Sequence, residues 1–182
     1  MESKETKVTE LFFQEPTRQW HFEEILKEAG ITRSKASIWL SKLGKERIIK
    51  RIKERGRMPY YTGNYENPAY QNRKKLYAME MLYECGLLNH LASLEKANTV
   101  ILFGSLARWD WYSKSDIDIF IYGEPEGLSI AKYEIKAKRE IQLFICRNKK
   151  ELKKLGNGLL RNIIKGIVIK GDLGFVEVGI NT

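Results

Sequence analysis

One segment, FGSLARWDWYSKSDIDIF at residues 103–120, places the strongest limit on how this chain can fold. In its second half Asp alternates with Ile, and side chains of a β-strand point alternately to its two faces. A strand here puts Asp116 and Asp118 on one face and directs the isoleucines into a core. Two carboxylates on one face are hard oxygen ligands of the kind that Mg²⁺ binds. The segment therefore predicts a buried strand with Asp116 and Asp118 as metal ligands.

The first half of the segment predicts a turn that can hold a phosphate. Residues 99–103 have the pattern of a buried strand, and Gly104-Ser105 would turn this strand into a short helix. Backbone N–H groups at a helix start attract phosphate, and glycine lets a ligand approach the backbone closely. The Ser105 hydroxyl could donate to a phosphate oxygen, and Arg108 adds positive charge one turn later. Gly104, Ser105 and Arg108 are therefore the expected nucleotide-binding residues.

This order of hydrophobic-Gly-Ser, a spacer and Asp-hydrophobic-Asp-hydrophobic resembles the polymerase-β-like nucleotidyltransferase superfamily, especially its small members. The resemblance covers roughly residues 97–171. It implies a mixed sheet flanked by helices, in which Asp116 and Asp118 hold Mg²⁺ or Mn²⁺ against the triphosphate of a bound nucleoside triphosphate. It also implies transfer of a nucleotidyl group, with AMP from ATP as the expected donor reaction, to a hydroxyl acceptor.

Family members usually have a third carboxylate on a neighbouring strand, which helps to bind a second metal and activates the acceptor hydroxyl. The expected strand is EIQLFIC at residues 140–146, where Glu140 is the only carboxylate. If Glu140 fills this role, Asp116, Asp118 and Glu140 form the catalytic set of a two-metal site. If the position belongs to Gln142, its amide cannot act as a base at neutral pH. Both an active transferase and a catalytically inactive regulator or antitoxin-like protein that uses the fold to sense a nucleotide or to dimerise stay open.

The N-terminal third predicts three helices followed by a hairpin. Helical spacing of apolar residues begins near residue 8, continues over residues 22–29 and ends with a helix over residues 32–43. Isoleucines in residues 47–53, a turn at ERGRMP and the return YYT at residues 60–62 indicate two strands. This order resembles the winged helix-turn-helix domains of bacterial and archaeal regulators.

The winged-helix resemblance implies binding to double-stranded DNA, although such domains also bind proteins. The third helix can enter the major groove with the face opposite its core. Residues 45–57 contain seven Lys or Arg against two Glu, a net charge of +5, and such cations contact phosphates. The expected DNA-binding residues are Ser34, Lys35, Ser37, Ser41, Lys42, Lys45, Arg55 and Arg57.

The two resemblances together predict an α+β protein. We expect an N-terminal winged helix of three helices plus a β-hairpin at residues 1–64, a helical connector at 65–96, and a C-terminal nucleotidyltransferase-like mixed sheet flanked by helices at 97–182. The connector is too apolar for a flexible linker, and Gly86 divides it into two helices. It is expected to pack on the catalytic domain and to join two copies in a homodimer. The resemblance to small nucleotidyltransferases also implies a helical toxin-like protein partner.

Composition favours a cytoplasmic protein that contacts a polyanion. The 182 residues carry a net charge of +9, which suits nucleic acid. No apolar run approaches the ~20 residues needed to cross a bilayer, and the charged N-terminus lacks the apolar core of a signal peptide. The two cysteines and two histidines are isolated in sequence, so neither a zinc site nor histidine catalysis is expected.

Two aromatic segments leave alternatives open. Trp109 and Trp111 lie in the spacer between the Gly-Ser turn and the aspartates, where stacking on a base would be favourable. Small members of the family often have Gly directly after the Arg of this helix, so Trp109 departs from their pattern and could instead mark an occupied or covered pocket. The alternating residues 175–180, FVEVGI, could add an edge strand or pair with another copy of the chain.

Overall fold

The structure is a computed structural model that describes residues 3–176 of the chain. These residues form two compact units. The first unit comprises the residues up to Leu76 together with Asp110–Ser113, and the second comprises Tyr77–Trp109 and the residues from Lys114 onwards. Each unit has its own sheet.

The first unit combines helices with a small antiparallel sheet. Its elements are α1 Lys4–Gln14, β1 Trp20–His21, α2 Phe22–Ala29, α3 Arg33–Lys45, β2 Ile49–Ile52, β3 Tyr60–Gly63 and the first part of α4 Pro68–Glu84. The strand order is β1-β3-β2, and both pairs are antiparallel. Three helices and a hairpin therefore follow one another in the order that the sequence pattern predicts. The additional strand β1 is two residues long, too short to produce a periodic signal.

Local signals define the ends of the helices in this unit. Gly30 ends α2 in the left-handed conformation, at φ 61°, where glycine has no steric penalty. Thr32 precedes α3, and its hydroxyl accepts a hydrogen bond from the backbone N–H of Lys35 at 3.5 Å. The inner face of α3 buries Ala36, Leu40 and Leu43. The opposite face of α3 is therefore left for solvent or a partner.

Trp111 belongs to the core of the first unit, although the sequence places it in the spacer before the aspartates. Its side chain is 1% exposed, and its ring lies edge-on to Phe13 with centroids 6.3 Å apart. The buried Lys74 donates from Nζ to the carbonyl oxygen of Trp111 at 2.5 Å and lies 4.5 Å from the Trp111 ring centre, a cation–π arrangement. A side chain this deeply buried cannot stack on a nucleotide, so the stacking alternative for Trp111 is wrong.

The second unit contains a mixed four-stranded sheet flanked by helices. Its elements are the rest of α4, α5 Leu87–Ala92, β4 Ala97–Phe103, α6 Gly104–Arg108, β5 Ile117–Gly123, α7 Ala131–Ala137, β6 Ile141–Cys146, α8 Lys149–Leu152, α9 Asn157–Ile164 and β7 Ile167–Lys170. The strand order is β6-β5-β4-β7. Strands β5 and β6 are parallel, whereas β4 pairs antiparallel with both β5 and β7.

The central strand β5 is covered on both faces. Ile117, Ile119, Phe120 and Ile121 are all fully buried, as expected for a strand with helices on each side. Asp118 is the half-buried residue among them. The strand therefore holds this carboxylate on a rigid, close-packed support.

Two further sequence predictions concern the segments around this sheet. Gly86, at φ 85°, separates α4 from α5, as predicted. The division between the two units falls inside α4, between Leu76 and Tyr77. Phe175 and Val176 pack against the core of the second unit and are not in a strand. The remainder of the predicted C-terminal strand, residues 177–180, lies outside the described residues.

Candidate nucleotide and DNA sites

The register of three strands places the proposed metal ligands at one end of the strands of the mixed sheet, which is here called the sheet edge. Asp118 on β5 pairs with Phe103, the last residue of β4, and with Gln142 on β6. Asp116 lies two residues before Asp118, just ahead of β5. The site therefore forms where β4 ends and where β5 and β6 begin.

Gly104 is required at this edge by both its conformation and its neighbour. The residue has φ 72°, a region that side chains other than glycine rarely occupy. A Cβ atom at position 104 would also overlap the carboxylate of Asp118. The Gly-Ser turn and the second aspartate are therefore in direct contact.

The electrostatic surroundings of Asp118 differ from those of a surface carboxylate. Burial raises the pKa of Asp118 above its usual value, and the negative charge of Asp116 raises this pKa further. The positive charge of Arg108 acts in the opposite direction. Two carboxylates that repel each other in a partly desolvated position favour the binding of a cation.

Arg108 and Ser105 lie on α6, directly after Gly104. This helix is only five residues long, and Arg108 is exposed and occupies its last position. Ser105 is partly exposed, and its carbonyl oxygen accepts a hydrogen bond from the N–H of Trp109 at 3.0 Å. Both predicted nucleotide-binding side chains are therefore accessible beside the aspartates.

Gln142 stands beside the two aspartates in the position where the sequence left a third carboxylate undecided. Its side-chain amide donates from Nε2 to Oδ2 of Asp116 at 2.6 Å. Glu140 lies two residues earlier, at the entry to β6, with an exposed side chain. Its carbonyl oxygen accepts a hydrogen bond from Ile117 N–H at 2.8 Å. The residue in register with Asp118 is therefore an amide and not a carboxylate.

The donor groups can be tested against the metal that the motif implies. Mg²⁺ is commonly held by one or two carboxylates together with substrate phosphates, and Asp116 and Asp118 offer such a pair. Among residues 3–176, no three His, Cys, Asp or Glu side chains are grouped so that they could hold a metal ion. Asp116 and Asp118 are therefore a pair of carboxylates that fits one nucleotide-bound metal.

The structure adds one residue that the sequence patterns did not single out. Arg139 is 7% exposed and donates from its guanidinium to the carbonyl oxygen of Ser115 at 2.6 Å. Ser115 directly precedes Asp116, so this buried hydrogen bond helps to fix the entry to β5. A charged group is rarely buried without such a role, but its burial has no signature in a single sequence.

The predicted DNA-binding residues of α3 lie on its exposed face. Ser37, Ile38, Ser41, Lys42, Lys45 and Glu46 line an open depression of ≈ 620 Å³. Ile38 is 64% exposed, and Ser34 and Lys35 are exposed one turn earlier. Lys42 forms an ion pair with Glu5, Nζ to Oε1 2.6 Å, so part of its charge is balanced locally.

The hairpin of β2 and β3 lies next to the exposed face of α3. A second depression, of ≈ 310 Å³, is lined by residues of α3, β2 and β3, namely Ser37, Leu40, Ser41, Gly44, Ile49, Arg51 and Tyr61. Arg55 and Arg57 lie in the turn between β2 and β3, and both are exposed. Arg57 pairs with Glu54, Nη1 to Oε2 2.8 Å. Within the described residues, no ion pair involves Arg55.

None of the helices in residues 3–176 is both long enough and apolar enough to span a membrane. Cys85 and Cys146 are free thiols. His21 is the N-cap residue of α2. The ring of His90 stacks on the ring of Tyr133, with centroids 5.0 Å apart.

Comparison with known proteins bears on the second unit. Residues 87–172, which contain Gly104, Asp116, Asp118 and Gln142, match the family described as Polymerase beta, Nucleotidyltransferase. No curated protein matches the chain. A solved structure, described as "a putative nucleotidyltransferase from Sulfolobus solfataricus", is similar over 59% of this chain and 93% of that chain, with 18% identity and a TM-score of 0.30. That score supports no conclusion by itself, so the family match carries the assignment. Residues 87–172 are therefore similar to the nucleotidyltransferase domains of this family.

Proposed function

We propose that this chain binds a nucleoside triphosphate with Mg²⁺ through its second unit and double-stranded DNA through its first unit. The observation that supports this most is the sheet edge where Asp116, Asp118 and Gly104 meet and where Gln142 stands in register with Asp118. Such an edge has the ligands for a nucleotide-bound metal but an amide where a base would act. The proposed role is that of a DNA-bound regulator that senses a nucleotide.

The side chains at the sheet edge have distinct roles in this proposal. Asp116 and Asp118 would hold the metal, which when bound neutralises and orients the phosphates. Gly104 leaves room for Asp118 and lets the backbone approach a phosphate. Ser105 would donate to a phosphate oxygen, and Arg108 would add positive charge at the end of α6.

The DNA half of the proposal rests on α3 and the hairpin. The exposed face of α3 carries the serines and lysines that would enter the major groove. The cations of residues 45–57 would contact the phosphate backbone on either side. Serine discriminates weakly between bases, so we expect most of the affinity to come from phosphates.

Nucleotidyl transfer is a second candidate function, and the family match of residues 87–172 favours it. In this case the acceptor hydroxyl would attack the α-phosphate of ATP, Glu140 would accept the hydroxyl proton as the base, and pyrophosphate would leave as AMP is transferred. Glu140 is exposed and lies at the same sheet edge. Its carboxylate would have to turn towards Asp116 when substrate binds.

One experiment separates the two candidates. ATP binding is measured with and without Mg²⁺ or Mn²⁺, and label transfer from α-phosphate-labelled ATP to the protein and to a cell extract is followed in parallel. The parent is compared with Asp116→Asn and Asp118→Asn. We expect metal-dependent binding that both variants lose, without a labelled product. A product that disappears in Asp116→Asn would establish nucleotidyl transfer instead, and no metal-dependent binding would refute both candidates.

The proposal also includes a homodimer, a helical toxin-like partner and a cytoplasmic location. Homodimerisation would use α4, whose exposed side chains include Leu76 and Tyr83. A helical toxin-like partner and a cytoplasmic location rest on the resemblance and the composition alone. Sedimentation of the purified chain at several concentrations tests the homodimer directly.

A further inference from the structure

A second concentration of positive charge lies in the nucleotidyltransferase-like unit. Residues 147–165 contain seven Lys or Arg and one acidic residue, a net charge of +6. Residues 45–57 carry +5, and the whole chain carries +9. The rest of the chain therefore has a net charge of −2, so the excess positive charge is confined to these two segments.

The cations of residues 147–165, here called the 147–165 surface, are exposed and little neutralised. Arg147 pairs with Glu124, Nε to Oε2 3.1 Å, and Glu151 accepts a hydrogen bond from the backbone N–H of Arg147 at 2.8 Å. Within residues 3–176, five exposed cations have no carboxylate at ion-pair distance, namely Lys150, Lys153, Lys154, Arg161 and Lys165. Neighbouring like charges repel one another, and a polyanion would relieve this repulsion.

The 147–165 surface crosses the unit from one edge of the sheet to the other. It begins after β6 ends at Cys146, follows α8 and α9, and stops before β7 begins at Ile167. Ile167 pairs with Leu102, one residue before the end of β4, which is the edge that carries the aspartates. Lys165 directly follows the last residue of α9, and its backbone N–H donates to the carbonyl oxygen of Arg161 at 3.3 Å, so the two cations lie on one side of the helix end. The cations are therefore spread along the unit and not gathered at one point.

The composition of the 147–165 surface indicates which polyanion it suits. It contains no aromatic residue, whereas proteins that hold single-stranded nucleic acid stack bases on aromatic side chains. None of the exposed large hydrophobic residues lies within it, although membrane-surface helices bury an apolar face. Exposed cations alone suit contacts to the phosphate backbone of a duplex.

We propose that the 147–165 surface is a second contact with double-stranded DNA, made to the phosphate backbone without regard to sequence. The proposal rests on the DNA binding proposed for the first unit and extends it to the second. The protein then contacts duplex phosphates through two separate basic segments, one in each unit.

The test removes the same charge from two places in the full chain. One variant combines Lys150→Gln, Lys153→Gln and Lys154→Gln. The control combines Lys27→Gln, Lys132→Gln and Lys136→Gln, which are also exposed and lie outside both basic segments. Affinity for a random-sequence DNA duplex is measured across a salt series, with single-stranded DNA and duplex RNA in parallel, and thermal unfolding checks that both variants are folded.

We expect the first variant to bind duplex DNA more weakly than the control. The slope of log affinity against log salt should fall by about one unit for each lysine that contacts a phosphate. Equal behaviour of the two variants, or a loss confined to single-stranded DNA or to RNA, would overturn the proposal. Arg55→Ala is measured beside them. If only Arg55→Ala weakens binding, the result supports the DNA binding proposed for the first unit and refutes only the second contact.

Discussion

At the scale of single residues, Gln142 separates the two proposed functions of the sheet edge. Its amide lies in register with Asp118 and donates to Asp116, so it orders the aspartates without offering a base. Asp116 and Asp118 can be found in the sequence because their alternation with Ile is visible there. The donation from Gln142 cannot, since the register between β5 and β6 depends on how two distant segments pair.

The first prediction restores a carboxylate at this position. Gln142→Glu should give label transfer from α-phosphate-labelled ATP, because a positioned general base contributes ~10²–10⁴-fold to a rate. Gln142→Asn keeps an amide and is the matched control. The rates of labelled product formation of both variants and the parent are compared with Mg²⁺ and with Mn²⁺. Equal rates in Gln142→Glu and Gln142→Asn would show that position 142 is not where the base belongs.

The second prediction separates backbone strain from the contact with Asp118. Gly104→Ala places a methyl group against the Asp118 carboxylate, so we expect loss of metal-dependent ATP binding. Gly127 also has a positive φ, 81°, but has no atom within 4 Å of a Cβ built there. Gly127→Ala should therefore cost about 1 kcal/mol of unfolding free energy and leave ATP binding unchanged. Calorimetric titration with ATP and Mg²⁺, beside urea unfolding, checks both variants; unchanged binding in Gly104→Ala would refute the contact.

At the scale of elements, the sequence predicted the helices and strands whose apolar residues follow a long periodic pattern. The helices of the first unit, the hairpin and the strands around the aspartates follow from apolar spacing and from caps such as Thr32 and Gly30. The sequence did not predict strand β1, because a strand of only two residues, Trp20–His21, is too short to show an alternating pattern. The ion pair of the hairpin turn, Arg57 with Glu54, could not be predicted either, since it depends on side-chain conformations that composition does not fix.

The hairpin turn gives the third prediction. Arg55 and Arg57 both lie there, but Glu54 balances Arg57 through a 2.8 Å ion pair. Arg55→Ala should therefore reduce the salt slope of DNA binding by about one unit, and Arg57→Ala by less. Glu54→Gln should strengthen binding, because it removes a negative charge and leaves Arg57 available for a phosphate. Fluorescence anisotropy on one duplex across a salt series measures all three variants, and weaker binding by Glu54→Gln would contradict this role of the turn.

At the scale of the whole molecule, each of the two compact units is built from two separate stretches of the chain. Residues 110–113 read as a spacer next to the aspartates, yet they belong to the first unit. Packing of Trp111 against Phe13 joins segments about a hundred residues apart, and no local pattern reports such a contact. The distribution of charge, by contrast, needs no structure, because it is set by the order of the residues alone.

The last prediction concerns the Asp110–Ser113 segment, which belongs to the first unit. Trp111 and Phe12 are both buried in the first unit, and replacing either by Ala should cost about 3–5 kcal/mol. Asp116 follows the Asp110–Ser113 segment after only two intervening residues, so loss of the Trp111 anchor frees the chain that leads into β5. We therefore expect Trp111→Ala to weaken metal-dependent ATP binding more than Phe12→Ala, although both lower the unfolding midpoint in urea. The milder Trp111→Phe and Phe12→Leu pair covers the case in which an Ala variant does not fold. Equal ATP affinities within each pair would mean that β5 holds the aspartates in place without help from the anchored segment.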